Sequence, residues 1–323
     1  MHRLFFPLVI ILSFLNCKKT NSEKDITIPP ENVVLYVCSI GGGYANPPTG
    51  YGIYTNSDTG GTERPLIESN TLQFYNPNWA KNNKIYFNCN CGGERYQQIY
   101  SINTNGTNIS RVSKDTSVVN LLADISPFND KMLYYKVNGG SVQTCTNNLV
   151  GTDEKLLPIN GDYFSWHPNK SELVFIDKEI NSSGENIMNI YLINEDGGGK
   201  KKVTNNTDSK TVFSSPFISF DGKKIVYTSI RERFFGTNIS SVLQDVYTCN
   251  IDGSNEQRIT DTKPQTLVEW YNGNWSKESD KMILIGQNNF RLPYTLSLVN
   301  PITFSGNQIS SGLKGMTGKM KQF

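Results

Sequence analysis

Short apolar segments separated by tight turns repeat along most of this chain. The clearest case lies between Ser214 and Thr260, where Ile225-Val226-Tyr227 follows Asp221-Gly222 and Val246-Tyr247 precedes Asp252-Gly253. An Asp-Gly pair between two apolar runs is a sequence signal of a β-hairpin. Four such segments joined by tight turns therefore predict one four-stranded antiparallel sheet.

The same pattern recurs at a nearly constant spacing. In five copies an aromatic strand leads into a turn glycine, and these glycines are Gly60, Gly106, Gly151, Gly197 and Gly253. A weaker sixth copy runs from Tyr294 to Pro301. Repeats of about 40 to 50 residues with four strands each are typical of β-propeller blades. The sequence therefore predicts an all-β propeller, with six four-stranded blades favoured and seven as the alternative.

The first half of each repeat carries a second signature. A tryptophan or a Ser-Pro pair precedes an apolar strand, as where Trp166-His167-Pro168 comes before Leu173-Val174-Phe175. Together with the later Ile-Tyr, Asp-Gly and Ile-Thr motifs, this pattern resembles the repeat of TolB-type propellers. The resemblance implies six blades within residues 33 to 312 and a role as a binding scaffold, which TolB has within an envelope complex. We expect the recurring tryptophans to lie in the core, and they are Trp79, Trp166 and Trp275.

The first repeat lacks a recognisable inner strand. In that copy only Val33 to Ser39 matches the pattern. A propeller must close, because an open ring leaves unpaired strand edges. Either Ile26 to Ile28 or the C-terminal tail, residues 313 to 323 with the adjoining segment from Ser310, supplies the missing strand.

Residues 1 to 16 have the features of an export signal. An apolar run from Leu4 to Leu15 follows a weakly basic start and leads directly to Cys17. The run is shorter than the about 20 apolar residues that span a bilayer. It resembles a bacterial lipoprotein signal, which implies a lipid on Cys17, a polar tether over residues 17 to 32 and attachment to a bacterial membrane. We expect the chain in the cell envelope, at the outer membrane, on its periplasmic or surface side.

Positive and negative side chains are almost balanced, with 31 Lys plus Arg against 29 Asp plus Glu. Binding to a nucleic-acid backbone needs a basic face or stripe. The composition therefore argues against nucleic acid as a partner.

The ionisable residues give little support for catalysis. Beyond His2 the only histidine is His167, which occupies a turn position of its repeat. A catalytic triad needs a histidine between a carboxylate and a nucleophile, and zinc sites commonly use several histidines or cysteines. Most acids fall in turns, where Asp196, Asp221 and Asp252 are expected to bond their own backbone. We therefore expect no catalytic residue, no metal and no cofactor.

Five cysteines follow Cys17. Cys38 aligns with the Cys89-Asn90-Cys91 segment one repeat later, so we expect a disulfide from Cys38 to Cys89 or Cys91. Cys145 and Cys249 lie on predicted strands and are expected to be buried free thiols.

The long connections between the second and third strands of each repeat are the expected binding face. They include Asp177 to Asn189 and Ile230 to Asp245, the longest of the set. Irregular loops of this kind commonly carry function, and exposed Arg and aromatic residues are enriched at binding hot spots. The candidate binding residues are Tyr44, Arg95, Tyr96, Arg231, Arg233, Phe234, Phe235, Phe290 and Arg291.

These features favour a non-enzymatic envelope lipoprotein whose propeller binds a protein or an extended ligand on this loop face. Two alternatives stay open. One is a glycan-active enzyme, a polysaccharide lyase or glycosidase, that uses carboxylates as acid and base. The other is a surface protein that faces a host and acts like an adhesin.

Overall fold

The computed structural model describes residues 33–40, 49–57, 63–235, 240–261, 268–275, 281–288, 294–300, 306–313 and 318–320. The regular elements in these ranges are 24 β-strands. The same ranges contain no helix that is long and apolar enough to cross a membrane. The predicted export signal and tether lie outside them.

The strands form six four-stranded antiparallel sheets, which we number in chain order and describe from the inner to the outer strand. Sheet 1 contains β24 (Gly318–Met320), β1 (Val33–Ile40), β2 (Gly50–Ser57) and β3 (Arg64–Ser69). Sheet 2 contains β4 (Tyr75–Trp79), β5 (Lys84–Cys89), β6 (Gln98–Asn103) and β7 (Ser110–Arg111). Sheet 3 contains β8 (Val119–Ile125), β9 (Lys131–Asn138), β10 (Ser141–Asn148) and β11 (Lys155–Leu156).

The second half of the chain repeats this order. Sheet 4 contains β12 (Asp162–Trp166), β13 (Glu172–Ile180), β14 (Asn186–Asn194) and β15 (Lys201–Lys202). Sheet 5 contains β16 (Val212–Ile218), β17 (Lys224–Phe235), β18 (Ser240–Asn250) and β19 (Gln257–Arg258). Sheet 6 contains β20 (Val268–Trp275), β21 (Met282–Asn288), β22 (Tyr294–Val299) and β23 (Gly306–Leu313).

The sheets follow one another around a closed ring. Each sheet contacts the next through its inner strands, and β24 of sheet 1 contacts β20 and β21 of sheet 6. The C-terminal strand β24 pairs with β1, with Leu35 opposite Lys319. The other candidate for this position, Ile26 to Ile28, lies outside the described residues. This arrangement confirms the predicted all-β propeller.

Central strands are apolar on both faces because each face packs against a different neighbour. In β17, Ile225, Val226 and Tyr227 are fully buried. Ile225 and Tyr227 pack in a cluster with residues of sheet 4, whereas Val226 packs with Trp275 of sheet 6. The run of three apolar residues therefore reflects two separate interfaces between sheets. The tryptophans predicted to be core residues are buried, which confirms that prediction.

The recurring turn glycines join each sheet to the one before it. Gly106, Gly151 and Gly253 have φ angles of 81°, 74° and 86°, a region that favours glycine. A β-carbon at Gly253 would lie 1.9 Å from the carbonyl oxygen of Val203 on the preceding sheet. The corresponding approach at Gly151 is 2.3 Å, to the carbonyl oxygen of Val112. These glycines are therefore required both by backbone conformation and by contact between sheets.

The long connections predicted in sheets 4 and 5 are strands instead of irregular loops. In sheet 4, β13 and β14 stay paired out to Ile180 opposite Asn186. In sheet 5, β17 and β18 pair out to Phe235 opposite Ser240, with a bulge between Ile230 and Glu232. The prediction of irregular loops is wrong for 177–180, 186–189, 230–235 and 240–245, because the two central strands continue past the end of their inner neighbours. Each extension is a two-stranded ribbon, and we call them the sheet 4 ribbon (177–189) and the sheet 5 ribbon (230–245).

The contact between turn glycine and preceding sheet can be tested with a matched pair of variants. Gly253→Ala and Gly184→Ala both place alanine at a positive φ, 86° and 77°. Nothing lies within 4 Å of a β-carbon at Gly184, so this variant incurs only the backbone cost of about 1–2 kcal/mol. Gly253→Ala must also push two sheets apart, and we expect an additional loss of about 1–3 kcal/mol. Urea unfolding measures both, and equal losses would contradict the account.

Candidate interaction face

The two ends of the ring carry different kinds of connection. At one end, which we call the turn end, the first strand of sheets 2 to 5 turns into the second and the third turns into the fourth. At the opposite end, the ribbon end, the second strand passes to the third. The ribbon end carries both ribbons and the connection over residues 90–97. The predicted binding face is therefore one end of the ring.

The structure places six of the nine candidate binding residues at the ribbon end. Arg95 and Tyr96 lie in the connection over 90–97, where the Arg95 guanidinium carbon sits 5.3 Å from the centre of the Tyr96 ring. Four others occupy positions along β17 in the sheet 5 ribbon, and they are Arg231, Arg233, Phe234 and Phe235. The remaining three, Tyr44, Phe290 and Arg291, lie outside the described residues, as does Cys17.

Glu94 anchors the connection that carries Arg95 and Tyr96. Its carboxylate accepts hydrogen bonds from the Tyr100 hydroxyl at 2.5 Å, Arg111 Nη1 at 2.8 Å and the Gly92 N–H at 3.0 Å. Burial raises the pKa of Glu94, but these bonds outweigh it and lower the pKa to about 2. Burial and the bond to Glu94 raise the pKa of Tyr100 to about 12. This connection is therefore held in one conformation by a charged residue that sequence reasoning missed.

A disulfide joins Cys89 to Cys91 within the same connection. The expected bridge from Cys38 to either of these cysteines is therefore wrong. Cys89 ends β5, and a turn in which the Gly93 N–H bonds to the Asn90 carbonyl at 3.1 Å brings Cys91 back over it, with Cα atoms 5.3 Å apart. The local turn brings Cys91 to Cys89, so this disulfide forms within one connection and does not join two sheets.

Cys145 and Cys249 are free and buried, as predicted. Burial raises the pKa of the Cys145 thiol to about 11 and that of Cys249 to about 12. Because the thiolate is the reactive form, both are protonated and inert near neutral pH.

Charged pairs support the base of the sheet 4 ribbon. Lys200 pairs with Asp177, and Lys202 pairs with Glu179 at 2.7 Å. The Lys200 amine also lies 4.3 Å from the centre of the Tyr191 ring. At the tip, Ile180 is 66% exposed. The ribbon therefore has a fixed base and one exposed isoleucine beside its polar turn.

A repeated polar contact holds the third and fourth strands of three sheets together. In sheet 5, the Thr260 hydroxyl donates to Asp245 Oδ1 at 2.7 Å and accepts from the Val246 N–H at 3.0 Å. In sheet 4, the Thr204 hydroxyl donates to Asn189 Oδ1 at 2.9 Å and accepts from the Ile190 N–H at 2.9 Å.

Sheet 2 has the same arrangement. The Ser113 hydroxyl donates to Gln98 Oε1 at 2.7 Å and accepts from the Ile99 N–H at 3.1 Å. The sequence contains the signal for this contact, since the polar residue always precedes an Ile-Tyr or Val-Tyr pair and the hydroxyl always follows an Ile or Val. Its role could not be inferred without the pairing of the strands. These buried polar groups therefore have a structural role, which is to hold the third and fourth strands together.

The acids predicted to be turn residues have that role. The carboxylates of Asp196, Asp221 and Asp252 accept backbone N–H bonds two residues ahead, at 2.8, 3.1 and 3.0 Å. Among the described residues, no group of three or more His, Cys, Asp or Glu side chains is arranged to hold a metal ion.

His167 lies at the interface between sheets 4 and 5 and is 1% exposed. Its Nδ1 accepts the Asn169 N–H at 3.2 Å, and a β-carbon at Gly222 would lie 2.9 Å from its Cε1. Burial, with a smaller contribution from Lys170, lowers the pKa of His167 to about 4. The ring is therefore neutral at pH 7 and acts as a packing residue.

Similar solved structures share the propeller fold. TolB from Acinetobacter baumannii is 16% identical over 90% of this chain with a TM-score of 0.62, and this chain spans 65% of its length. A TolB-type protein from Agrobacterium tumefaciens is 16% identical with a TM-score of 0.60, over 91% of this chain and 99% of its own. An oligogalacturonate lyase in complex with manganese is 11% identical with a TM-score of 0.52, over 80% of this chain and 69% of its own. No protein-family model and no curated protein sequence matches the chain.

The burial of His167 predicts a specific dependence of stability on pH. Its pKa is about 4 in the folded chain and 6.5 as the ordinary value, so the unfolded state binds the proton more tightly between these pH values. Stability is therefore lost as the pH falls from 6.5 towards 4. From pH 7.5 to 4.5 we expect the parent to lose about 2–3 kcal/mol more than His167→Gln in urea unfolding. The same pH dependence in both proteins would contradict this assignment.

Proposed function

We propose that this chain is a non-enzymatic binding scaffold of a bacterial cell envelope. In this proposal each four-stranded sheet is one blade of a six-bladed ring, and a lipid on Cys17 attaches the ring to a membrane. The ribbon end captures a protein or an extended ligand through the sheet 5 ribbon, the sheet 4 ribbon and the connection over 90–97.

The observation that carries the proposal is the extension of two neighbouring sheets past the ring. The last residue of β17 that pairs with β16 is Ile230, yet β17 continues to Phe235. Likewise, β13 continues to Ile180 after its last pairing with β12 at Ile176. Past these positions neither strand pairs with the inner strand of its sheet, and we propose that a partner binds along this edge.

The composition of the sheet 5 ribbon suits a binding role. Its β17 half reads Arg231-Glu232-Arg233-Phe234-Phe235, and arginine and aromatic residues are enriched in protein interfaces. Ile180 on the sheet 4 ribbon and Arg95 in the connection over 90–97 are exposed at the same end. A partner contact over this end would therefore join three separate elements.

The carboxylates favour binding over catalysis. A general acid that works near neutral pH needs a raised pKa. Where burial and contacts clearly shift the pKa of a described carboxyl group, the shift is downward, as for Glu94, Asp115 and Glu154. On the inner strands, the carboxylate of Asp124 accepts bonds from the Ser165 hydroxyl at 2.8 Å and the Trp166 N–H at 3.0 Å. This acid links two inner strands.

The similar structures are compatible with a scaffold role and suggest the test. TolB-type proteins support a protein-binding function in the envelope, whereas the oligogalacturonate lyase shows that the same fold also serves glycan chemistry. An assay for turnover of acidic and neutral glycans therefore accompanies the binding experiment.

The sheet 5 ribbon is the first element to test. A triple variant with Arg231, Phe234 and Phe235 changed to alanine removes three large side chains from positions beyond the ring. We expect it to reduce partner capture in crosslinked intact envelopes by tenfold or more, because removing hot-spot residues costs about 2 kcal/mol or more each. The unfolding midpoint should stay close to that of the parent.

The matched control changes three exposed residues of the outer strands, Ser110→Ala, Lys201→Ala and Gln257→Ala, which belong to neither ribbon. This variant should capture the partner as the parent does. Unchanged capture by the ribbon variant would refute the assignment of the site, and glycan turnover by the parent would refute the non-enzymatic function.

A further inference from the structure

Exposed apolar side chains cluster in one sector of the turn end. Seven large hydrophobic residues are exposed among the described side chains, and four of them lie in turns or the outer strands of sheets 2 and 3. These are Val150 at 64%, Leu156 at 58%, Phe128 at 44% and Ile109 at 44% exposure. Contiguous exposed apolar surface on a folded domain marks a contact with a partner or a membrane.

Hydrogen bonds between turns bring these residues onto one surface. The Leu149 N–H bonds to the Asp130 carbonyl at 3.2 Å, which joins the turn carrying Val150 to the turn carrying Phe128. The Lys81 amine of sheet 2 donates to the Phe128 carbonyl at 2.9 Å. Gly151 packs on the carbonyl of Val112 in sheet 2, three residues after Ile109. The turns that carry Phe128, Val150 and Ile109 therefore adjoin one another, and Leu156 lies farther along the chain, on the strand that follows the Val150 turn. We call these four residues the turn-end patch.

Cationic side chains border the patch. Lys81 and Lys170 are exposed, and neither forms an ion pair with a described residue. Lys170 and Leu156 both line an open groove of about 650 Å³ between sheets 3 and 4. The same groove also contains Glu195, which pairs with Lys131, and Asp196. Apolar turn tips beside unpaired lysines suit the interfacial region of an anionic bilayer.

The chain enters the ring at this same end. Val33, the first residue of β1, pairs with Ser57, the last residue of β2, so β1 begins at the end opposite its passage to β2, which is the turn end. Fifteen residues lie between Cys17 and Val33. Such a segment has a typical end-to-end distance of about 20–25 Å if it is a flexible coil. A lipid on Cys17 would therefore hold the turn end, and not the ribbon end, close to the bilayer.

We propose that the turn-end patch is a membrane-contact surface, on which Phe128, Val150, Leu156 and Ile109 enter the interfacial layer of an anionic bilayer. This inference rests on the lipid anchor of the proposed function. It fixes the orientation of the ring: the turn end lies on the membrane and the ribbons point into the aqueous space, where a partner reaches them.

Two single tryptophan variants of the full chain test the orientation. Phe128→Trp places the reporter in the patch, and Ile180→Trp places it at the tip of the sheet 4 ribbon. Both positions are exposed, so both variants should fold. The lipidated proteins are reconstituted with vesicles of phosphatidylcholine brominated on its acyl chains and phosphatidylglycerol, or with the same vesicles without bromine.

We expect bromine to quench the added emission of Phe128→Trp at least twofold and to leave that of Ile180→Trp unchanged. Equal emission of Phe128→Trp in both kinds of vesicle would overturn the proposal and point to a protein as the occupant of the patch. Quenching of Ile180→Trp without quenching of Phe128→Trp would also overturn the proposal, because it would place the ribbon end of the ring on the membrane.

A Cys17→Ala version of each variant separates this inference from the anchor on which it rests. If Cys17→Ala no longer floats with vesicles, and Phe128→Trp in the anchored chain is not quenched, the lipid anchor is supported and membrane contact by the patch is refuted. If the chain floats equally with and without Cys17, the lipid anchor is refuted. Quenching of Phe128→Trp at low salt would then still support membrane contact by the patch. The ribbon test of partner capture is independent of both results.

Discussion

The close approach of each turn glycine to the preceding sheet is the constraint on which the ring depends. At Gly253 the backbone comes so near the Val203 carbonyl that no side chain fits between them. The same contact recurs at Gly106 on Leu66 and at Gly151 on Val112. Because a propeller sheet cannot bury both faces alone, these contacts set the spacing between neighbours. They also explain why the turn glycine is the most regular feature of the repeat.

The polar residues of the repeat follow from the same need to join strands within a crowded ring. Asp245 with Thr260 and Asn189 with Thr204 satisfy backbone groups where the outer strand begins to leave the sheet. Asp124 links two inner strands. Buried polar groups that are already bonded are poor candidates for chemistry, since displacing their partners is costly. The functions that we propose therefore use exposed residues, on the ribbons at one end and in the turn-end patch at the other.

Much of the fold could be predicted from the sequence, because it depends on turn and core positions that accept few residue types. Asp-Gly turns, the glycine spacing and the recurring tryptophans predict the sheets and their core. Other features carry no such signal. The inner strands bulge at Asn76, Tyr163 and Ser215, which have positive φ angles of 49°, 56° and 50° without being glycine.

The site is less predictable than the fold. The sheet 4 ribbon looks like a loop in sequence because polar residues dominate it: Ile187 and Asn189 are buried whereas Ile180 is exposed, so no regular apolar alternation marks its strands. The strand order predicts that the long connections share one end of the ring, but their strand structure could not be predicted. Similarly, aligned cysteines suggested a bridge between sheets, whereas a local turn pairs Cys89 with Cys91.

The central claim is that the two ends of the ring have different occupants. Photo-crosslinking residues at Ser183 on the sheet 4 ribbon and at Ser254 on the turn end, compared in intact envelopes, test it most directly. We predict protein adducts from Ser183 and none from Ser254, and protein adducts from Ser254 alone would contradict it.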